Sequence, residues 1–393
     1  MVRKKHAYVE ELEGRFIKEI RYGRATSRLE LATRHQLAPS TVGIYVDRLL
    51  QSGHLREDSS GQHLQPGRPA LKLSLRGEAG LFVGVEFEAR NIHAVCVDFS
   101  GKILNRVEEV IPSGADAPSV MAALQNAIDG VIRRNYKSLL GIGVGVPGLV
   151  DPELGVALHY RFIQGWKDIP VAQRLRERYK VPIHLENNAR ATAKGIMLFE
   201  PAVRKENFVC LLVRSGVGAG IVVNGQLHRG ANNLSGEVGR IVFQGAESSD
   251  QGETLEDVAS INAILRFVRE NAPRFPSSPL AADARELSIA GVIEAANDGD
   301  ELARESLRRA IYNLGWLAHL MVLIENPGAI VLSGPLNALG DWLRLEIQAS
   351  LANYLRLSHT ERPVIALSAL GAEAGALGAS SLAIDAWKPV VKR

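Results

Sequence analysis

Two adjacent amides, Asn187 and Asn188, stand where an apolar run, "VPIHL", passes into a segment able to form a helix, "TAKGIMLF". Polar side chains at a strand end that opens a helix are common in binding sites. A carboxylate there could take a proton from a hydroxyl, whereas an amide has no basic lone pair near neutral pH. The pair therefore indicates a binding loop in which the position best suited to a general base carries an amide. A second interpretation is that Asn188 caps the following helix.

Basic residues are concentrated at the front of the chain. Residues 1–80 contain 14 Lys and Arg against 9 Asp and Glu, a balance of +5, whereas the rest contains 32 against 34, a balance of −2. A basic front end on a slightly acidic body indicates a nucleic-acid-binding module joined to a second part. Charge alone also fits a solvated basic surface.

Length and cysteine usage limit the class of protein. The 393 residues suffice for two or three domains. Cys96 and Cys210 lie far apart in apolar runs, which predicts buried, reduced thiols in a cytoplasmic protein. The apolar stretches fall short of the roughly 20 residues that cross a bilayer, and Met1–Glu13 is too charged for a signal peptide. We therefore expect no membrane association.

Three short amphipathic segments occupy the first 54 residues. The third, "APSTVGIYVDRLLQSGHL", has an apolar stripe, and Pro39 suits its first turn. The stripe consists of Val42, Val46, Leu49 and Leu50. Three helices with this pattern predict a helix-turn-helix whose third helix presents its other face to DNA.

The face opposite the stripe carries the residues that we expect to contact DNA. They are Ser40, Thr41, Gly43, Ile44 and Arg48. Ile44 suits a thymine methyl group, and Arg48 can reach a phosphate. The two hydroxyls near the helix start can donate to phosphates or base edges. The alternative is that all five are ordinary surface residues of a small helical domain.

A polar segment, "SSGQHLQPGRP", lies between two predicted strands, "HLRED" and "ALKLSL". A hairpin after a helix-turn-helix is a wing. Arg68 stands between a glycine and a proline, and this tripeptide resembles the core with which some proteins insert arginine into a narrow A·T-rich minor groove. The alternative is an ordinary linker with a chance arginine.

Strands and helices alternate in the remaining chain. The stretch "FVCLLVRSGVGAGIVVNGQL" repeats the theme of the earlier "GLFVGVEFEARNIHAVCVDF", in which an apolar strand turns into a second strand. This repetition predicts an α/β body with two similar lobes.

Six motifs in order carry a resemblance to a known family: "GVGVPGLVD", "QGWKDIPV", "LENNARATA", "SGVGAGIVVNGQLHRGANNLSGEVGR", "ENPGAIVLSGP" and "LGAEAGALGAS". From about Gly84 to Ala383 the chain resembles the ROK family of repressors, open reading frames and sugar kinases. With its front end, the whole chain is similar to the branch of xylose and N-acetylglucosamine repressors.

The resemblance implies an N-terminal winged helix-turn-helix followed by a two-lobed α/β actin-like domain of the sugar-kinase type. We place the winged helix-turn-helix at residues 1–78, lobe 1 at 79–198 and lobe 2 at 199–373. The C-terminal helix, at about 374–390, is expected to pack back on lobe 1.

The resemblance also implies which parts of a kinase are changed. The catalytic aspartate of kinase members falls at Asn188, so the general base is lost. The first phosphate cradle, an Asp followed by a Gly-Gly-Thr turn, matches residues 86–90, where the glycines are gone and Glu88 adds a negative charge. The second cradle, residues 214–220, keeps most of its glycines, which a tight hairpin needs in any case, but Arg214 replaces the leading one. We therefore expect an inactive kinase domain that does not bind ATP.

The family's sugar contacts carry over to Asn187, Asn188, Glu237 and Glu256. Arg240 stands where the family has a histidine that touches sugar and ligates a structural zinc, and the cysteines that complete the zinc site are missing downstream. We predict no metal here and expect Arg240 to pair with Glu237 or Glu256. Phe162 replaces a polar sugar contact and could line an apolar surface.

These parts together predict a DNA-binding transcriptional regulator, a repressor, that binds double-stranded DNA at a palindromic operator as a homodimer or higher oligomer. A sugar or sugar-like effector is expected in the inactive kinase-like domain. Two alternatives stay open: an active sugar kinase with a DNA-binding head, and a regulator controlled by a protein partner.

Overall fold

A computed structural model of the chain describes residues 2–59, 71–88, 90–133, 136–203, 205–242, 253–282, 287–354 and 362–389. The described residues form a small N-terminal domain, here called the head, and a body of two α/β lobes. None of the described helices combines the length and apolar character that crossing a membrane requires.

The head contains α1 (Val2–Arg21), α2 (Arg28–His35) and α3 (Pro39–Gln51), followed by an antiparallel hairpin of β1 (Leu55–Ser59) and β2 (Leu71–Leu75). The Ser27 hydroxyl accepts a hydrogen bond from the backbone of Glu30 and caps α2. Phe16 of α1 and Leu31 of α2 are fully buried, together with Val42 and Val46 of α3. The hairpin strands lie where the wing is expected, and Arg68 lies outside the described residues.

Lobe 1 follows the head. Its elements are β3 (Leu81–Phe87), β4 (Asn91–Asp98), β5 (Ile103–Val110), α4 (Ala117–Ile132), β6 (Leu139–Val146), β7 (Leu149–Asp151), β8 (Val156–His159), β9 (Lys167–Ile169), α5 (Val171–Tyr179), β10 (Ile183–Asn187) and α6 (Asn188–Phe199). The main sheet has the order β10-β6-β3-β4-β5, and β7, β8 and β9 form a small separate sheet.

Lobe 2 comprises the later elements. They are β11 (Phe208–Val213), β12 (Val217–Val223), β13 (Gln226–His228), α7 (Leu255–Ala259), α8 (Ile261–Asn271), α9 (Pro279–Ala282), α10 (Ile289–Asn297), α11 (Glu301–Glu325), β14 (Ala329–Ser333), α12 (Asp341–Tyr354) and β15 (Val364–Leu367). The helix α13 (Ala374–Ala386) follows lobe 2 in the sequence and packs on lobe 1. The described sheet has the order β15-β14-β11-β12-β13.

The two main sheets share one topology. In lobe 1, β3, β4 and β5 form an antiparallel meander, and β6 and then β10 add in parallel next to β3. In lobe 2, β11, β12 and β13 form the meander, and β14 and then β15 add in parallel next to β11. Parallel strands require a crossover connection, and helices cover the faces of both sheets. The prediction of two similar α/β lobes is confirmed.

Helices α6 and α13 pack against each other between the two sheets. α13 lies on β3 and β6 of lobe 1, whereas α6 lies on β11 and β12 of lobe 2. The contacts are close enough to need glycine, because a Cβ at Gly378 would lie 1.7 Å from the carbonyl oxygen of Ala191. A Cβ at Gly143 of β6 would lie 1.7 Å from the carbonyl oxygen of Ala379. The small residues near the C terminus thus allow two helices and two sheets to meet.

The head contacts the body through an aromatic cluster. Trp387, directly after α13, lies 5.0 Å from the ring of His54 and 4.8 Å from the ring of Phe99. Arg21 of α1 places its guanidinium 4.9 Å from the Phe99 ring and donates a hydrogen bond of 2.8 Å to the Phe99 carbonyl. Aromatic and cation–π contacts of this kind stabilise a fixed orientation between two surfaces.

A polar group joins the same two parts. Asp385 of α13 accepts hydrogen bonds from Tyr22 at 3.1 Å and from Lys194 of α6 at 2.5 Å, and it pairs with Lys18 of α1 at 3.4 Å. Despite the burial that opposes its charge, the two lysines and the tyrosine hold the pKa of Asp385 below its usual value. These four residues, here called the Asp385 junction, link the head to both central helices.

We expect Gly378→Ala to destabilise the body by about 1 to 3 kcal/mol, since the new methyl group would collide with the backbone of α6. The control is Gly291→Ala in α10, where the new Cβ meets only the Ser288 hydroxyl at 3.4 Å. Urea unfolding followed by circular dichroism measures both. Equal midpoints for Gly378→Ala and the wild type would contradict the account of this contact.

Candidate functional site

A cavity of about 400 Å³ lies between the two lobes. Its walls come from the loop after β8, from the junction of β10 and α6, and from the first turns of lobe 2. The lining includes all five residues expected from the sequence to bind a ligand: Asn187, Asn188, Glu237, Arg240 and Glu256. The structure thus brings together positions that are up to 69 residues apart in the sequence.

Asn187 and Asn188 have different roles at the start of α6. Asn187 has extended backbone angles and caps the helix, because its Oδ1 accepts from the backbone of Ala189 at 2.9 Å. Asn188 is already helical, and its Nδ2 donates to the Phe87 carbonyl at 2.9 Å. The interpretation of Asn188 as the cap is therefore wrong, since a cap must be the extended residue before the helix.

The side-chain oxygen of Asn188 is an acceptor without a donor in the described part of the chain. This Oδ1 atom is buried and has no hydrogen-bond partner among the described residues. The orientation of the amide follows from Phe87, because the carbonyl oxygen can only accept and must face the NH₂ group. A buried acceptor without a donor costs about 1 to 3 kcal/mol of stability.

Two arginines pair with the carboxylates at the outer end of the cleft. Arg240 lies 3.5 Å from Glu237, which is one of the two pairings expected, and Arg161 lies 2.8 Å from Glu256. Burial raises the pKa of both glutamates, and the arginines act against this effect. Arg161 also lies 4.7 Å from the ring of Phe162. The sequence analysis missed Arg161, although it had singled out its neighbour Phe162.

The inner end of the cleft is crossed by Arg214 of lobe 2. Its guanidinium is in close contact with Glu86 of β3 and lies 3.8 Å from Glu88. Burial raises the pKa of Glu88 to about 7; the charge of Glu86 adds to the rise and that of Arg214 opposes it. In this region the family's kinases have the glycine turns of a phosphate cradle, and here charged side chains occupy it.

A buried ion-pair network supports the junction of β10 and α6. Glu186 is fully buried and accepts from Arg190 and Arg229, each at 2.7 Å. Arg190 also donates to the backbone carbonyls of Asn233 and Ser235, at 3.0 and 3.1 Å. The network ties α6 to the "GANNLSGEVG" loop of lobe 2. Its sequence signal was a glutamate and an arginine four residues apart in "LENNARA".

The face of α3 expected to contact DNA is exposed in part. Ser40 is exposed and Ile44 has 62% of its surface accessible, whereas Thr41 and Gly43 are half-buried. Arg48 is turned toward α1, because its Nε pairs with the buried Glu13 at 3.1 Å.

The sequence analysis missed a second arginine near this face. Arg28 of α2 pairs with Asp47 at 2.7 Å and with Glu57 at 2.8 Å, and so connects α2, α3 and the wing hairpin. Its signal was weak, since Arg28 is one of several arginines in the basic front end.

No group of three or more His, Cys, Asp or Glu side chains that could hold a metal lies within the described ranges. Residues 243–252, which follow Arg240 and Val242, are outside those ranges. The expectation of no zinc therefore stays a prediction.

Comparisons with known proteins agree with these observations. The sequence model of the ROK family matches residues 82–386. The chain is 26% identical to a putative xylose repressor of Caldicellulosiruptor sp. (strain Rt8B.4), and the match covers 97% of each protein. It is 29% identical to a glucokinase of Halalkalibacterium halodurans, over 76% of this chain and 93% of the glucokinase.

A solved structure has a similar fold over the whole length. It is the crystal structure of a ROK family transcriptional regulator described as a homologue of the Escherichia coli MLC protein. The TM-score is 0.80 at 23% identity, and the alignment covers 96% of this chain and 97% of that one. At this identity the likeness shows the fold alone, including the arrangement of head and body. Because the family model spans most of the chain and the ordered motifs agree with it, this protein belongs to the ROK family.

Proposed function

We propose that this protein is a DNA-binding transcriptional repressor whose kinase-like body binds a small effector and has no kinase activity. The observation that carries the proposal is the extent of the similarities: the match to the Caldicellulosiruptor repressor covers 97% of the chain, whereas the match to the glucokinase covers 76%. The head also makes specific contacts with the body through Trp387 and the Asp385 junction.

The described side chains of the cleft are unsuited to phosphoryl transfer. Asn188 places an amide at the position of the base, and an amide cannot take a proton from a hydroxyl. Glu88 and Arg214 lie where backbone N–H groups would have to approach a phosphate closely. The negative charge of Glu88 would also repel the phosphates of ATP.

The same cleft is well suited to a molecule with several hydroxyl groups. Glu237 and Glu256 at the outer end and Glu88 at the inner end offer acceptors. Tyr160 and Phe162, with ring centroids 5.3 Å apart, add an aromatic surface. Buried polar groups in such a site favour a ligand that satisfies all of them, because an unpaired group costs a few kcal/mol. A sugar or sugar-like effector is therefore the proposed ligand.

One helix connects the cleft to the head. α6 begins at Asn188 in the cleft and, less than two turns later, reaches Lys194 of the Asp385 junction, where Tyr22 and Lys18 of α1 also meet. A ligand that contacts both lobes favours one relative placement of them. A shift of α6 and α13 would then change the position of the head. The effect on DNA affinity is limited by the ligand's differential affinity for the two arrangements.

We propose that the protein acts as a dimer. Tyr312, Leu323 and Ile324 of α11 are each more than half exposed, on the surface of lobe 2. Exposed apolar patches favour association, and a two-fold symmetric pair buries the same patch from both copies. Such a pair would carry two heads to the two half-sites of a palindromic operator.

We expect Ile44→Ala to weaken binding about tenfold to the DNA duplex that the protein selects from a random pool, because the exposed side chain would lose its apolar contact with a base. The matched control is Val110→Ala on β5, which also removes an exposed aliphatic group. Fluorescence anisotropy at several salt concentrations measures both, and the wild-type affinity should fall steeply with salt. Equal affinities of the two variants would place the DNA face elsewhere.

We expect Asn188→Asp not to phosphorylate D-glucose or D-xylose, since the restored carboxylate would still face a cleft in which Glu88 and Arg214 occupy the phosphate region. A coupled assay for ADP release detects turnover, with the wild type measured in parallel. Clear turnover by the wild type would support the alternative of an active kinase. Turnover by the variant alone would show that Asn188 is the sole catalytic defect.

We expect Asp385→Asn to keep effector binding but to weaken its effect on DNA binding. The reason is that the amide cannot pair with Lys194 and Lys18 as a carboxylate does. The D-xylose affinity should stay within about twofold, whereas the change in DNA affinity at saturating D-xylose should become several-fold smaller. Arg106→Met, which breaks the ion pair with Glu373 on the body surface, is the control.

If D-xylose changes the DNA affinity of Asp385→Asn as much as that of the wild type, the Asp385 junction does not connect the effector site to the head.

D-glucose and other sugars are screened alongside D-xylose by calorimetry. The absence of binding across the panel would favour control by a protein partner.

A further inference from the structure

Glu88 at the inner end of the cleft accepts from the backbone N–H of Ser215, but no cation among the described side chains lies within hydrogen-bonding distance of it. About a quarter of its side chain is accessible to the cavity. The neighbouring side-chain donors are the Ser215 hydroxyl at 3.5 Å and the Arg214 guanidinium at 3.8 Å. Hydrogen bonds to a carboxylate from a cation normally measure about 2.7 to 2.9 Å. Glu88 is therefore a carboxylate whose charge is incompletely compensated by its surroundings.

Arg214 cannot supply the missing partner without leaving another carboxylate. Its guanidinium is in close contact with Glu86, which is fully buried. Breaking that contact would leave Glu86 as an unpaired buried charge, which costs several kcal/mol. The stronger pairing of Arg214 is thus with Glu86, and the space beside Glu88 is left for a donor from outside the protein.

Asn188 and Glu88 both line the cavity, but they differ in what a ligand can reach. The Oδ1 atom of Asn188 is buried, and its Nδ2 donates to the Phe87 carbonyl, so neither polar atom of this side chain is open to a ligand. The carboxylate of Glu88 is partly accessible. An ammonium can donate more than one N–H to it, whereas a hydroxyl has a single proton to donate.

An aromatic ring completes this end of the cleft. Tyr160 lines the cavity next to Glu88, and its hydroxyl lies 3.4 Å from that of Ser215. Burial and the charge of Glu88 raise the pKa of Tyr160, which keeps it a neutral phenol. A carboxylate beside an aromatic ring is a favourable surrounding for an organic cation, because charge and ring quadrupole both attract it.

We propose that the effector is an unphosphorylated polyol that carries an ammonium group, and that Glu88 binds this group at the inner end of the cleft. This inference rests on the proposed function, in which the hydroxyl that a kinase would phosphorylate lies at Asn188. A phosphate ester at that position would face Glu88 and is excluded by charge. The ammonium replaces that hydroxyl and donates to the carboxylate of Glu88.

The binding should depend on pH because Glu88 must be ionised. Its surroundings are Glu86 on β3, Arg214 and Ser215 directly after β11, and Tyr160 directly after β8. Since burial raises the pKa of Glu88 to about 7, a rise in pH through this value ionises more of it and strengthens the binding of an ammonium. The affinity for a neutral sugar should change little over the same range.

The test is calorimetry with three probes that differ only at carbon 6: D-glucose, 6-amino-6-deoxy-D-glucose and D-glucose 6-phosphate. At pH 8 the full-length protein is expected to bind the amine at least about tenfold more tightly than glucose, since a hydrogen bond between charged groups contributes about 1.5 to 3 kcal/mol. The phosphate ester should not bind. D-Glucosamine, with its ammonium at carbon 2, should not bind more tightly than glucose.

Two isosteric variants test whether the preference for the amine over glucose depends on Glu88. Glu88→Gln should bring the affinities for the amine and for glucose to within about twofold of each other. Glu237→Gln, at the outer end of the cleft, should weaken both and keep their ratio. Thermal unfolding of each variant shows whether the body is intact, and the pH dependence of amine binding by the wild type gives a second readout that needs no variant.

The outcomes separate this inference from the proposed function. Equal or tighter binding of glucose or its phosphate by the wild type would overturn the ammonium proposal and leave the sugar site standing. A preference for the amine that survives Glu88→Gln, or D-glucosamine binding more tightly than the 6-amine, would overturn the assignment to Glu88. Binding of none of the probes would overturn both proposals.

Discussion

The contact between the backbones of α6 and α13 is the constraint on which the rest of the structure depends. The two helices approach so closely at Gly378 and Ala191 that no side chain fits between them. Each helix also covers the sheet of a different lobe, so the lobes cannot move independently of this pair. Protein interiors are densely packed and transmit small shifts instead of absorbing them. The cleft, the two lobes and the head are therefore connected through this pair of helices.

Charged side chains, among them Glu88 and Arg214, line the inner end of the cleft. A phosphate cradle works through glycine N–H groups, whereas this cleft is crossed by Arg214 and its two carboxylate neighbours, and Arg161 pairs with Glu256 at the mouth. Such pairs join the lobes and hold them at a defined distance. They also change what the cleft can select, because buried carboxylates favour donors and disfavour anions.

The sequence allowed the fold to be predicted because its signals are local. The apolar stripe at Val42 and Val46, the repeated strand–turn–strand pattern and the ordered motifs depend on nearby residues. The long-range pairs could not be predicted: Arg214 and Glu86 are 128 residues apart, and Arg161 and Glu256 are 95 apart.

The wrong assignment of the cap has a different cause. Which of two adjacent asparagines starts α6 depends on where β10 stops, and helix boundaries are uncertain by a residue or two from sequence. Arg48 shows the same limit for the head. Arg48 was expected on the face opposite the α3 stripe, and its pairing with Glu13 depends on how α1 crosses α3.

The position of α13 has a consequence for the order in which the protein is made. The helix that covers β3 and β6 of lobe 1 comes after all of lobe 2 in the sequence, and Trp387, which follows it, contacts His54 of the head. Domains usually fold as units while the chain emerges from the ribosome, N terminus first. Here lobe 1 and the surface that holds the head stay incomplete until α13 has been made. A variant that lacks α13 and Trp387 would therefore carry a head with no fixed orientation on the body.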